Sequence, residues 1–223
     1  MVLAAKIFKL KQDMDFDLIA EKLKNFEEEE EADDLTLKSN FGDFKFMGDE
    51  LRCKFYMDKV IVVNYRGEEK KVPVTRESKL FFKRYKDIIY LIILEKKLLA
   101  NYIANKVSEA LFIKIGEVVE AQITHEVLKA LHETNPEASK VIFFDNVDIP
   151  NIKKLSLYGD ALTNTSLYTM YLEHGKIWYV VFEFTKYGYI VGITRNCVLA
   201  MFSNIDEEQF IQFIYKEILP LIT

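Results

Sequence analysis

Turn signals recur every eight to twelve residues along two long stretches of this chain, and that rhythm constrains the fold more than any other feature. Between Leu35 and Leu94 they fall at Phe41-Gly42-Asp43, Met47-Gly48-Asp49, Met57-Asp58-Lys59 and Arg66-Gly67. Intervals so short leave room for strands that run out and back. Val60 to Tyr65 is rich in β-branched residues, Arg66-Gly67 suits a tight hairpin, and Lys70 to Thr75 returns along it. Pro73 has no N–H for a ladder, which predicts an edge strand there. Ile88 to Leu94 is apolar in both parities and predicts a central strand. The second stretch predicts strands near Val141–Asp145, Lys153–Tyr158, Leu167–Glu173, Lys176–Phe184, Tyr189–Thr194 and Cys197–Phe202.

Helical spacing separates these stretches. Phe16, Ile19, Ala20, Leu23 and Phe26 share one face, with Asp13 and Asp15 as candidate caps. Glu27 to Glu31 with Asp33 and Asp34 then reads as a solvated loop or helix tail, because like charges repel. Leu98 to Leu111 makes a second amphipathic helix and Thr124 to Glu133 a third. Asn204 and Glu207 have capping-box spacing ahead of a last helix with Phe210, Ile211, Ile214 and Ile218 inward. A short strand precedes the first helix, at Ala5 to Lys11, and another precedes the third, at Val118 to Ile123. The pattern predicts an α+β protein of two similar halves, each an antiparallel sheet with flanking helices in the order strand, helix, strands, helix, as a tandem duplication would give. The expected halves are residues 1–114 and 115–223, packed as one compact unit.

Several function classes drop out on composition. Eight glycines in 223 residues are about half the usual share, and no phosphate-cradling glycine pattern occurs. No apolar run approaches the roughly 18–20 residues that span a bilayer. The first ten residues lack the apolar centre of a secretory signal, so the chain reads as soluble and cytoplasmic. Cys53 and Cys197 lie in apolar runs and are expected to be reduced and inert.

Catalytic patterns are equally thin. His125 and His132 would stand roughly 10.5 Å apart along a helix, too far to share a metal ion, and read as helix-surface residues. His174 falls in a turn, and there is no G-x-S-x-G. One enzyme reading has content: Glu95 and Lys97 directly follow the most apolar strand, the Glu-x-Lys spacing of Mg²⁺-dependent nucleases. Asp87, at the other end of that strand, would be roughly 26 Å away and could not share the metal. Glu183 interrupts an otherwise apolar strand and is expected at the sheet rim. No catalytic, cofactor or metal residues are therefore assigned, and no cofactor or small-molecule ligand is implied.

Two surfaces stand out. From Arg66 to Lys86 there are eight basic residues, Arg66, Lys70, Lys71, Arg76, Lys79, Lys83, Arg84 and Lys86, against three acidic ones, interleaved with Phe81, Phe82 and Tyr85. That mixture suits a nucleic-acid backbone or an acidic partner, although a net charge of −5 opposes general DNA binding. The charge deficit lies wholly in residues 113–223, with 9 basic against 14 acidic side chains. The other surface is the strand from Lys176 to Phe184. Strict alternation puts Trp178, Val180, Phe182 and Phe184 on one side and Ile177, Tyr179 and Val181 on the other, so both faces need cover. With Tyr168 they form a candidate interface, Tyr168, Trp178, Tyr179, Phe182 and Phe184. The expectation is a non-enzymatic intracellular binding or accessory subunit acting through this aromatic surface on a protein partner or a second copy. The alternatives are a nucleic-acid-binding protein using residues 66–86 and a nuclease using Glu95 and Lys97.

Overall fold

The computed structural model describes residues 2–32, 35–134 and 136–223. Asp33 and Asp34, part of the expected acidic loop, lie outside the described residues. In chain order the elements are β1 (Leu3–Leu10), α1 (Phe16–Lys24), β2 (Glu27–Ala32), β3 (Leu35–Phe46), β4 (Glu50–Tyr65), β5 (Glu68–Tyr85), β6 (Ile88–Ile93) and α2 (Lys97–Phe112). There follow β7 (Val118–Glu120), α3 (His125–Glu133), β8 (Ser139–Asp145), β9 (Leu155–Tyr158), α4 (Ser166–His174), β10 (Lys176–Phe184), β11 (Tyr189–Thr194), β12 (Val198–Met201) and α5 (Glu207–Phe213).

The expectation of two halves, each with its own antiparallel sheet and flanking helices, is overturned. The strands form a single hydrogen-bonded order, β2-β3-β4-β5-β6-β1-β12-β11-β10-β8-β9, with β7 added on β1. Periodicity marks which residues are strands, but pairing is decided in three dimensions, and β1 takes a place in the middle of the order. By compactness the chain divides into Phe8–Val119 on one side, and Met1–Ile7 with Glu120–Thr223 on the other.

In the unit Phe8–Val119, α1 and α2 cover one sheet face. Ile19, Ala20 and Leu23 of α1 and Ala100, Ile103, Val107 and Leu111 of α2 share a core with Leu51, Cys53, Phe55, Leu80, Phe82, Leu91 and Ile93. β4 and β5 pair without interruption from Glu50↔Lys83 to Tyr65↔Glu68. The turn expected at Met57-Asp58-Lys59 is therefore strand interior, and that at Phe41-Gly42-Asp43 is a register shift within β3. β3 accompanies β4 only as far as Met57, and β6 accompanies β5 only from Leu80. Beyond them the pair continues as a two-stranded ribbon, about 27 Å long at the usual rise per residue. Arg66 and Gly67 both have positive φ, as a two-residue hairpin turn needs, and Asn64 Oδ1 accepts the Gly67 N–H at 3.1 Å. Pro73 lies on this ribbon, where β5 has a neighbour on one side only.

The acidic run at 27–31 is strand β2, not a loop. Each residue pairs with β3, from Glu27↔Asn40 to Ala32↔Leu35. Lys38 bridges to Glu27 and Glu29, Lys106 to Glu28, and Thr36 donates to Glu31, which offsets the repulsion that argued against order.

In the other unit, α4 replaces the strand expected at Leu167–Glu173. Thr165 accepts the Tyr168 N–H at 3.2 Å as a helix cap, and Tyr168 and Tyr171, three apart, both reach the Phe144 ring. The last helix is capped by Asp206 with Gln209 rather than by Asn204 with Glu207. Cys197 sits in a positive-φ turn ahead of β12 rather than in a strand; both cysteines are buried thiols. Among the described residues, no helix is long and apolar enough to cross a membrane.

Candidate functional site

Residues opposite each other in an antiparallel ladder share a face, so the register sorts the side chains of β8 to β11. Ile177 faces Phe144 and Val180 faces Ile142, while Phe182 pairs with Val191 and Phe184 with Tyr189. This face is closed: Ile142, Phe144, Ile177, Val180 and Phe182 are buried, and Phe213 of α5 meets Phe184 edge-on at 4.9 Å.

The opposite face is different. Between Ile177↔Phe144 and Tyr179↔Phe143 the register shifts by one residue, leaving Trp178 as an extra residue in β10. Such a bulge turns the added side chain to its neighbour's side. Trp178 and Tyr179 therefore sit together, with Phe143 centroids 5.7 and 5.4 Å from theirs, and Tyr158 of β9 reaches Phe143 at 5.6 Å. Strict alternation had placed Trp178 with Phe182 and Phe184, and the bulge overturns that. Gly192 of β11, opposite Val181 and so diagonal to Tyr179, is part of the arrangement: a Cβ there would meet the Tyr179 ring at 2.9 Å. Burial pushes the Tyr179 hydroxyl above its usual range, with Tyr158 adding to the effect.

Phe143, Trp178 and Tyr179 are half-buried, and Tyr158 is 67% exposed. Phe143, Trp178, Lys154, Leu155 and Ser156 line an open cavity of about 220 Å³. Lys154 Nζ lies 4.8 Å from the Trp178 ring centroid, a cation–π contact, and the indole N–H is buried without a hydrogen-bond partner among the described residues.

Of the five expected interface residues, this face holds Trp178 and Tyr179. Phe182 is in the core, Phe184 packs on α5, and Tyr168 is buried on α4. Phe143, Lys154 and Tyr158 were not singled out, although Val141 and Phe143, apolar residues at the outward parity of β8, were the available signal. Glu183 is half-buried and shares this face, opposite Ile190.

Tyr168 belongs to a polar chain instead. His132 Nδ1 lies 3.1 Å from the Ser139 hydroxyl and Nε2 2.9 Å from the Tyr168 hydroxyl, which donates its own proton to Glu133 at 2.8 Å and so accepts from Nε2. These bonds fix the imidazole as the neutral tautomer protonated on Nε2. His132 is thus a core residue, 1% exposed, rather than a surface histidine, and burial lowers its pKa to about 4. His125 accepts the Ile177 N–H on Nδ1 at 2.8 Å.

The basic residues do not converge. Register places Lys70 and Arg76 on one side of β5 and Lys71 and Lys79 on the other. Arg76 is paired with Glu95, Lys83 with Asp49 and Arg84 with Asp13, while Lys70 lies 4.0 Å from Glu68. Arg66 and Lys86 stack on Tyr65 and Tyr85. Glu95 receives Arg76 on both oxygens and Ser78 at 2.8 Å, and Lys97 opens α2 in solvent. Among the described residues no three His, Cys, Asp or Glu side chains are grouped to hold a metal ion.

No protein-family model matches the chain, and comparison with curated proteins found none similar to it.

Proposed function

We propose that this protein is a non-enzymatic binding or accessory subunit that holds a protein partner on the aromatic patch of Phe143, Tyr158, Trp178 and Tyr179, in the reducing interior of the cell. The observation that carries this reading is the bulge at Trp178, which gathers on an open sheet face aromatic rings that strict alternation would have divided between two faces. Trp and Tyr are the side chains that most often dominate protein interfaces, because each buries a large rigid area and still offers a polar atom. The nucleic-acid alternative is weaker, since Arg76, Lys83 and Arg84 are spent on partners within the chain. The nuclease alternative is weaker too, with Glu95 committed to Arg76 and Ser78.

The test is affinity capture from cell lysate by the wild-type chain and by the double variant Ser156→Arg, Tyr158→Asp. Both positions are exposed, so the fold should survive, which circular dichroism checks. A protein identified by mass spectrometry with the wild type and lost with the variant is the expected result. A captured set that the substitutions leave unchanged would remove the patch as the contact surface.

A further inference from the structure

The cavity beside Trp178 lies at an unpaired strand. β9 ends the strand order, so its outer edge has no strand beside it among the described residues. Its sequence, Leu155-Ser156-Leu157-Tyr158, carries none of the charges or prolines that usually blunt an edge. Leu157 points into the core, whereas Ser156, opposite Phe143, faces the aromatic side. The cavity, at about 220 Å³, falls below the range of sites that enclose a whole small molecule. It has the size for one side chain of a longer chain.

We propose, resting on the function above, that β9 receives an extended peptide segment of a partner protein as an added strand. One bulky apolar side chain of the segment fills the Phe143–Trp178 cavity, and an acidic side chain two positions away meets Lys154. Residues two apart in a strand share a face, so a segment that seats one side chain in the cavity presents the next one on the same side, where Lys154 lines the same opening. Lys153 and Lys154 are both exposed and have no acidic partner among the described residues, so the charge at this edge is left for the ligand. Main-chain hydrogen bonds to the edge then give affinity, and the cavity and Lys154 give selectivity.

The chain has one tryptophan, so its fluorescence reports this site alone. The probe is a capped seven-residue peptide of alternating Thr and Val with a central Phe and a Glu two positions on. The expected result is a saturable change in emission, with affinity lowered at least tenfold by Phe→Ala, by Glu→Lys in the peptide, or by Lys154→Glu in the protein. N-methylation of alternate peptide nitrogens should abolish binding, since it removes the ladder donors and leaves the side chains. No saturable change up to millimolar peptide overturns the proposal, as does equal binding of the N-methylated peptide. A response to oligo(dT) in place of the peptide overturns it in favour of a base-stacking platform. If capture of a lysate partner still depends on Ser156 and Tyr158 while the peptide is inert, strand addition fails and the broader function stands.

Discussion

The strand order has two ends, β2 and β9, and they are built in opposite ways. β2 is six residues long and presents five consecutive glutamates, four of them held by Lys38, Lys106 and Thr36. β9 is four residues long, uncharged, and held from its inner side by Leu157 and by pairing with β8. Any strand approaching β2 meets a row of carboxylates, whereas one approaching β9 meets neutral side chains, two ammonium groups without a carboxylate partner among the described residues and an open aromatic cavity. Negative charge repels a strand from the first edge, whereas the second is guarded only by its shortness and by Lys153 and Lys154 beside it, which turn away basic segments and not acidic ones. A short neutral edge beside partly exposed aromatics is what the proposed strand addition requires.

The comparison breaks most readily at the core. If packing holds β9 and surface ion pairs hold β2, Phe144→Ala should cost about 3–5 kcal/mol in urea unfolding, because this ring is fully buried opposite Leu155 and against Tyr168 and Tyr171. Glu28→Ala, which removes the partly exposed pair with Lys106, should cost less than about 1 kcal/mol. Equal losses would show that the two edges are anchored alike.

How far the sequence foretold these edges follows from what each depends on. The Arg66-Gly67 hairpin and the buried strand at Ile88 were readable, because both rest on local chemistry: a permissive turn and an apolar run in both parities. β2 was not, because isolated Glu27–Glu31 repels itself and becomes a strand only once Lys38 and Lys106 arrive from elsewhere in the chain. The aromatic patch was half readable. Trp178 and Tyr179 announced themselves by type, but the bulge that puts them together depends on pairing with β8, which no period of two can reveal. α4 was misread for a related reason: Leu167 to Glu173 is aromatic enough for a strand, and the Thr165 cap and the Phe144 ring decide for helix.

Acid should sharpen the contrast next, through His132, which links α3 to β8. Its imidazole is neutral in the fold, with a pKa near 4 against 6.5 in the unfolded chain. Between those values the unfolded state binds more protons, so the stability it supports is complete above pH 6.5 and is lost as pH falls through 4. The loss reaches on the order of 3 kcal/mol. Burial is the main cause; Glu133 opposes it, while Lys129 and His125 add to it. The measurement is urea unfolding from pH 7 to pH 4, compared with His132→Gln. A wild-type slope no steeper than the variant's would refute the assignment.

A smaller effect is expected at β2. Replacing Glu27, Glu29 and Glu31 by Thr keeps strand propensity and removes the charges on one side of the edge. Stability should change by less than about 1 kcal/mol, as these pairs are exposed. Sedimentation velocity should nevertheless show an average mass that rises with concentration, since the edge becomes a template for another copy. If the triple variant sediments as the wild type does, the glutamates are not what guards this edge.

The smallest effect tests the aromatic side of β9 most selectively. Trp178→Phe keeps a ring on the bulge and deletes the buried indole N–H, which has no acceptor among the described residues. An orphaned buried donor costs about 1–3 kcal/mol, whereas the contact with Lys154, 4.8 Å away over the ring, contributes about 0.5–1 kcal/mol and is only weakened by Phe. The balance predicts stability unchanged or raised by up to about 1 kcal/mol, read as a urea midpoint shift at constant slope. A loss greater than about 2 kcal/mol would mean that the indole serves the fold, and the patch would then resemble a core that happens to be open. If stability holds while partner capture weakens, the tryptophan is explained by what binds to it, which no element of β2 requires.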